Sequence, residues 1–146
     1  MKLKSLFAAV VVSAATALAA ATPASASDPG ACAFNGRYSI GRAEYQCSLW
    51  RGNVPVYSGY STSSGIAGYL YTGGRANWFL SQCVGNVARL GAYRNYWWAY
   101  TMADNGRWGF VPLTYFAGGA DNQRSAVLPL FGGYTNLCGG GQTHPS

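Results

Sequence analysis

Two runs rich in aromatic and β-branched residues, Tyr96 to Met102 and Trp108 to Pro112, flank the dipeptide Asn105-Gly106. The pattern predicts a β-hairpin, because Asn-Gly favours a two-residue type I′ turn in which both central residues take positive φ. Register follows by counting outward. Asp104 then faces Arg107, Met102 faces Gly109, Tyr100 faces Val111 and Trp98 faces Leu113, all on one side of the sheet. The other side carries Trp97, Ala99, Thr101, Trp108, Phe110 and Pro112. The first side suits a core around Trp98 and Tyr100, joined by Phe79 from a central strand. The second sets Trp97, Phe110 and Pro112 in a row, as a shelf of flat rings on which a ligand could lie.

The rest of the chain reads as nearly all-β with frequent punctuation. A strand pair is predicted around 37–40 and 45–50, bending at Gly41. Further strands fall near 54–58, 65–71, 75–82, 95–102 and 107–112, followed by one helical turn from Leu113 to Phe116. Gly73-Gly74 reads as a tight hairpin turn between the strands around it. Residues 83–95, with Gly85, Arg89, Gly91 and Arg94, read as a longer loop. After Gly118-Gly119 the pattern loosens. Residues 128–131 are expected to pack back once and Cys138 to pin the end, with a disordered tail from Gly139 to Ser146.

Trp97-Trp98, then Gly109-Phe110-Val111-Pro112 with Tyr115 three residues after the proline, resembles the second half of a Src homology 3 domain. Upstream, Val54-Pro55-Val56-Tyr57, the Ser/Thr/Gly stretch from Ser58 to Gly65 and the strand Ile66-Ala67-Gly68-Tyr69-Leu70 resemble the opening of its bacterial version. The match spans about residues 53–117, and the whole chain resembles small secreted actinobacterial proteins built around such a domain. The resemblance implies a small barrel. It also implies that Tyr57 and Tyr60 join Trp97, Phe110, Pro112 and Tyr115 at a ligand groove bordered by the 83–95 loop and Arg94.

Lys2 and Lys4 precede the apolar run Leu6–Ala21, and Ala24-Ser25-Ala26 is a small-x-small cleavage site. Residues 1–26 therefore read as a secretory signal peptide rather than a membrane anchor, since the run is Ala-rich and shorter than the ~20 strongly apolar residues a spanning helix needs. About 120 residues remain, enough for one domain. They divide into an N-terminal disulfide segment (27–52), the barrel (53–117) and a C-terminal extension (118–146). Four cysteines in an exported chain read as two disulfides with three possible pairings. The favoured pairing joins Cys32 to Cys47, closing a short loop, and Cys83 to Cys138, tying a core strand to the tail. Each would contribute about 3 to 5 kcal/mol by loop-closure entropy.

Charge and titratable groups narrow the function. After the signal peptide every basic residue is an arginine (Arg37, Arg42, Arg51, Arg75, Arg89, Arg94, Arg107 and Arg124), against Asp28, Glu44, Asp104 and Asp121. Arginine favours bidentate contact with carboxylate or phosphate and stacking on rings. Acid–base or nucleophilic catalysis needs a base held near the reacting group, and the mature chain offers one tail histidine, His144, no lysine and few acids. A Glu44–Asp104 pair remains conceivable as a glycosidase-like couple, but Asp104 precedes the turn and is expected to support it, paired with Arg107. No Cys-x-x-Cys occurs, so neither a metal site nor a cofactor is expected. Nucleic acid is a poor fit for a secreted chain of modest positive charge.

Five tryptophans and eleven tyrosines instead favour binding, since such rings dominate binding hot spots. The expected function is that of a secreted, monomeric, non-catalytic module recognising a peptide or cell-wall (peptidoglycan-type) ligand through an aromatic groove. Bacterial Src homology 3 domains imply that ligand class. The first loop, Ser58 to Gly65, carries no acid, which disfavours Arg-flanked Pro-rich peptides. The alternative is an inhibitor or antagonist of another secreted protein, such as a protease, presenting the loop from Gly85 to Asn95.

Overall fold

The computed structural model describes residues 27–71, 76–131 and 136–139. Residues 1–26, read as a signal peptide, Gly73-Gly74, read as a turn, and the residues from Gly140 onward lie outside them. A three-stranded antiparallel sheet is built from β1 (Ala33–Ser39), β2 (Arg42–Ser48) and β5 (Ala76–Phe79). A five-stranded antiparallel sheet follows the order β4 (Ile66–Leu70), β3 (Val54–Tyr57), β8 (Trp108–Pro112), β7 (Tyr93–Met102) and β6 (Ser81–Leu90). Two single turns of 3-10 helix complete the regular elements, one at Pro29–Ala31 and one, η2, at Leu113–Tyr115.

The all-β expectation is met, but the strands form two sheets and not a closed barrel. The run read as one strand over 75–82 breaks at Leu80. Its first half pairs with β2 in one sheet and its continuation pairs with β7 in the other. Because β4 and β5 belong to different sheets, the connection holding Gly73-Gly74 is not a hairpin between paired strands. The segment 83–95 is likewise not a loop. It is most of the β6–β7 hairpin, turning at Gly91, which has positive φ while Ala92 does not, as a type II′ turn requires.

The outer edge of β6 is covered by the C-terminal segment. The Gln82 and Val84 amides donate to Pro129 O (2.7 Å) and Asn136 O (2.6 Å), and the Phe131 and Cys138 amides donate back to the Gln82 (2.8 Å) and Val84 (3.0 Å) carbonyls. The buried Gln82 side chain adds donations to Ser125 O and Leu128 O and accepts from the Ser125 amide. An otherwise open sheet edge is thereby satisfied. Cys83–Cys138 fastens it, with Cα atoms 4.8 Å apart, and Cys32–Cys47 ties the N-terminal segment at 4.2 Å. Both are the favoured pairing.

Between the sheets lies the main core, including Leu49, Val54, Val56, Phe79, Trp97, Ala99, Val111, Leu113 and Phe116. Phe79 and Phe116 rings meet at 4.8 Å. Gly30, at φ 73°, lets the chain pass where a Cβ would lie 2.6 Å from the Phe116 ring.

The hairpin turn differs from expectation in one decisive way. Ala103 N donates to Arg107 O (2.8 Å) and Gly106 N to Ala103 O (2.9 Å), so the loop has three residues, Asp104, Asn105 and Gly106, with positive φ only at Gly106. This is a type I turn closed by a glycine bulge, the other loop that Asn-Gly supports. Tertiary bonds select it: Asn105 Nδ2 donates to Ala67 O (2.9 Å), and Asp104 Oδ2 accepts from the Tyr71 amide (2.7 Å) where a pairing with Arg107 was expected. The pairs become Trp98 with Pro112, Tyr100 with Phe110 and Met102 with Trp108. A slip of one residue turns every side chain of one strand to the opposite face relative to its partner. Ile40-Gly41 makes the two-residue turn with both residues at positive φ.

Candidate functional site

The slip separates the expected shelf. Trp97 points into the main core with Ala99, Val111 and Leu113 and is 7% exposed, on the face opposite Phe110 and Pro112. Pro112 is itself fully buried beside Trp98. Trp98 is buried as expected, yet in a second cluster on the other face, with Cys83, Ala88 and Cys138. Its Nε1 donates to Asn86 O (2.7 Å), which is possible because β6 bulges between Val84 and Ala88. Gly85 is required there, since a Cβ would fall 2.6 Å from Tyr60 and 2.8 Å from the Trp98 ring.

Over this second cluster the structure assembles a band of half-buried rings. Trp78 of β5 meets Trp108 edge-on at 5.8 Å, and Trp108 stacks on Tyr100 at 5.1 Å. Tyr100 contacts Phe110 at 5.1 Å and Phe131 at 5.3 Å, and Phe110 meets Tyr60 at 6.1 Å. Tyr57 packs edge-on to Trp98 at 5.7 Å, and Arg42 of β2 places its guanidinium 5.2 Å from the Phe131 centroid. The band thus crosses both sheets. Its period-two source is plain in β8, where Trp108 and Phe110 share a face.

Tyr57, Tyr60 and Phe110 are therefore brought together, whereas Trp97 and Arg94 are not with them. Tyr115 of η2 lies near Tyr57, and burial pushes both phenols above the ordinary tyrosine value, with the neighbouring Tyr69 adding to the shift. Trp78, Tyr100, Trp108, Phe131 and Arg42 were not among the expected site residues. Trp108 could have been found by extending the alternation from Phe110. Trp78, Phe131 and Arg42 come from other elements, and no local pattern announces them.

Beside the band, the loop from Ser58 to Gly65 holds its own shape. Ser58 N donates to Gly65 O (2.9 Å), Gly59 N to Ser64 Oγ (3.0 Å), Ser64 Oγ to Ser61 O (2.6 Å) and Ser58 Oγ to Ser64 O. At its far side Tyr60 O accepts from the Asn86 amide of β6 (2.9 Å). The loop is thus preorganised across the sheet face.

Glu44 lies in the β1–β2 hairpin, accepting from Ser39 Oγ (2.5 Å) and Asn35 Nδ2 (3.0 Å). Chiefly the Ser39 bond holds its carboxyl below the ordinary carboxylate value, with Asn35 and Arg37 assisting against desolvation. Asp104 is engaged at the opposite sheet by Tyr71. The two carboxylates are thus each committed to local hydrogen bonds. No cluster of His, Cys, Asp or Glu able to hold a metal occurs among the described residues, and no helix among them is long and apolar enough to cross a membrane.

Arg94 stands at the start of β7, on a separate cleft. Its Nε lies 3.7 Å from Asp121 Oδ2, while its amide donates to Asp121 Oδ1 (3.1 Å). Neither a family model, nor a curated protein, nor a solved structure matches this chain.

Proposed function

We propose that the chain is a secreted, non-catalytic binding module of Src homology 3-like type, whose aromatic band receives a peptide or peptidoglycan-type ligand. The observation that carries the reading is the continuity of the rings from Trp78 through Trp108, Tyr100 and Phe110 to Tyr60, each half-buried and held by its neighbours. Rings already fixed by packing lose little conformational freedom on binding and keep a flat face for contact. Arg42 over Phe131 adds a cation at the border of the band, suited to a ligand carboxylate. Two disulfides fit an oxidising, extracellular setting. The inhibitor alternative presents a rigid segment over 85–95, which is the β6–β7 hairpin, with Ala88–Leu90 paired to Tyr93–Asn95 and Gly85 to Val87 in the bulge.

Titration of the mature protein with soluble muropeptides, followed by NMR, tests the reading. The Trp108 and Trp78 indole N–H signals should shift saturably while that of Trp97 stays fixed. Shifts confined to other surfaces, or none, would remove the band as the site.

A further inference from the structure

We propose that the cleft beside η2 is a second binding site, for a neutral sugar ring. The cleft encloses about 380 Å³, within the range of small-molecule sites, roughly 300 to 1,000 Å³. Two large rings line it while remaining open to solvent, Trp50 at 45% and Tyr93 at 60% exposure. Trp50 is held in place: its Nε1 donates to Thr114 O (2.8 Å), and the Arg51 guanidinium lies 5.0 Å from its ring centroid. An exposed indole fixed in this way offers a flat wall at small entropic cost. The electron-rich face of such a ring attracts the partly positive C–H face of a pyranose.

The polar groups set the charge of the ligand. Arg94 and Asp121 both line the cleft and neutralise each other. An anion would have to compete with Asp121, and a cation with Arg94. Neighbouring hydroxyls on one ring need no such exchange, because one can accept from the guanidinium while the next donates to the carboxylate. Thr114 supplies a further sign. It lines the cleft at 6% exposure, and its hydroxyl has no hydrogen-bond partner among the described residues. A buried hydroxyl left unpaired is a standing cost, and a hydroxyl-rich ligand in the cleft is the kind that could supply its partner. Leu113 and Phe116 complete an apolar floor. This site shares no lining residue with the aromatic band, so it stands or falls separately.

The test is an NMR titration of the mature, disulfide-bonded protein with two neutral probes, cellotriose and triacetylchitotriose, and with the dipeptide D-Ala-D-Ala. Concentrations should reach about 10 mM, tenfold above a Kd of about 1 mM. At least one trisaccharide should shift the Trp50 indole N–H and the Arg94 and Gly119 amides saturably. Trp50→Ala and Tyr93→Ala should each weaken binding at least tenfold, and Tyr93→Ala keeps the test valid if loss of the Trp50 anchor loosens η2. Arg94→Gln and Asp121→Asn should each weaken it several-fold. The proposal is overturned if neither trisaccharide binds, if the shifts map to Trp108 and Trp78 instead, if Tyr93→Ala leaves affinity unchanged, or if only the dipeptide binds.

Discussion

The two faces of the five-stranded sheet each bury one of the adjacent tryptophans but cover it differently. On the face toward the second sheet, Trp97 is buried among Ala99, Val111 and Leu113, small or aliphatic partners. On the other face Trp98 is just as buried, but its cover is aromatic: Tyr57, Tyr60, Phe110 and Phe131 lie over it, each half-exposed. The first cluster has partly buried rings, Tyr45, Tyr96 and Tyr115, only at its margins. The other has an inner tryptophan and, over it, an outer layer of half-exposed rings, and the proposed function rests on that outer layer.

The largest effects should come from the two tryptophans. Trp97→Ala and Trp98→Ala should each cost about 3 to 5 kcal/mol of folding stability, since both leave cavities in packed clusters. Denaturant melts would read this. The faces separate in hydrogen exchange: Trp98→Ala should speed exchange of the Asn86 amide, which donates to Tyr60 O at the second cluster, and Trp97→Ala should not. Uniform loss of protection in both variants would dissolve the distinction.

Next in size is the staple of the second cluster. Replacing Cys83 and Cys138 together by serine removes a link across 55 residues and should cost about 4 kcal/mol, against about 3 kcal/mol for the shorter Cys32–Cys47 loop. Thermal unfolding of the two double variants checks the order. If losing Cys83–Cys138 proved nearly silent, the C-terminal cover of β6 would hold without it.

Much of this was legible in the chain and some was not. Alternation and turn residues announced the strands near 54–58, 65–71 and 107–112, and an even cysteine count announced two disulfides. The face assignment failed at one residue. Asn105-Gly106 suits both a two-residue and a three-residue loop, and the choice was made by Ala67 and Tyr71, more than thirty residues away. Likewise 75–82 looks like one strand, and only the competition between β2 and β7 for partners divides it at Leu80. The band itself was half visible. Phe110, Tyr57 and Tyr60 were expected, while Trp78, Arg42 and Phe131 depend on long-range packing.

A smaller effect contrasts the β1–β2 hairpin with the band. Because Glu44 has its carboxyl pKa lowered in the fold, the stability it adds is present above its unfolded value and disappears as pH falls through the folded one. Glu44→Gln should therefore destabilise modestly at neutral pH and flatten the acid limb of the stability curve, with wall binding unaltered. An acid limb identical to wild type would mean that the Ser39 and Asn35 bonds do not favour the ionised form.

The most direct test of the outer layer as the ligand surface is sedimentation of the mature protein with purified cell walls, comparing Trp108→Ala with Tyr38→Ala. Both remove large exposed or half-exposed rings, but Tyr38 lies on β1 against Phe34, away from the band. Trp108→Ala should lose at least tenfold in wall affinity, about 1.4 kcal/mol or more, while still melting cooperatively, and Tyr38→Ala should bind like wild type. Equal binding by a folded Trp108→Ala protein, or an equal loss in Tyr38→Ala, would contradict the account.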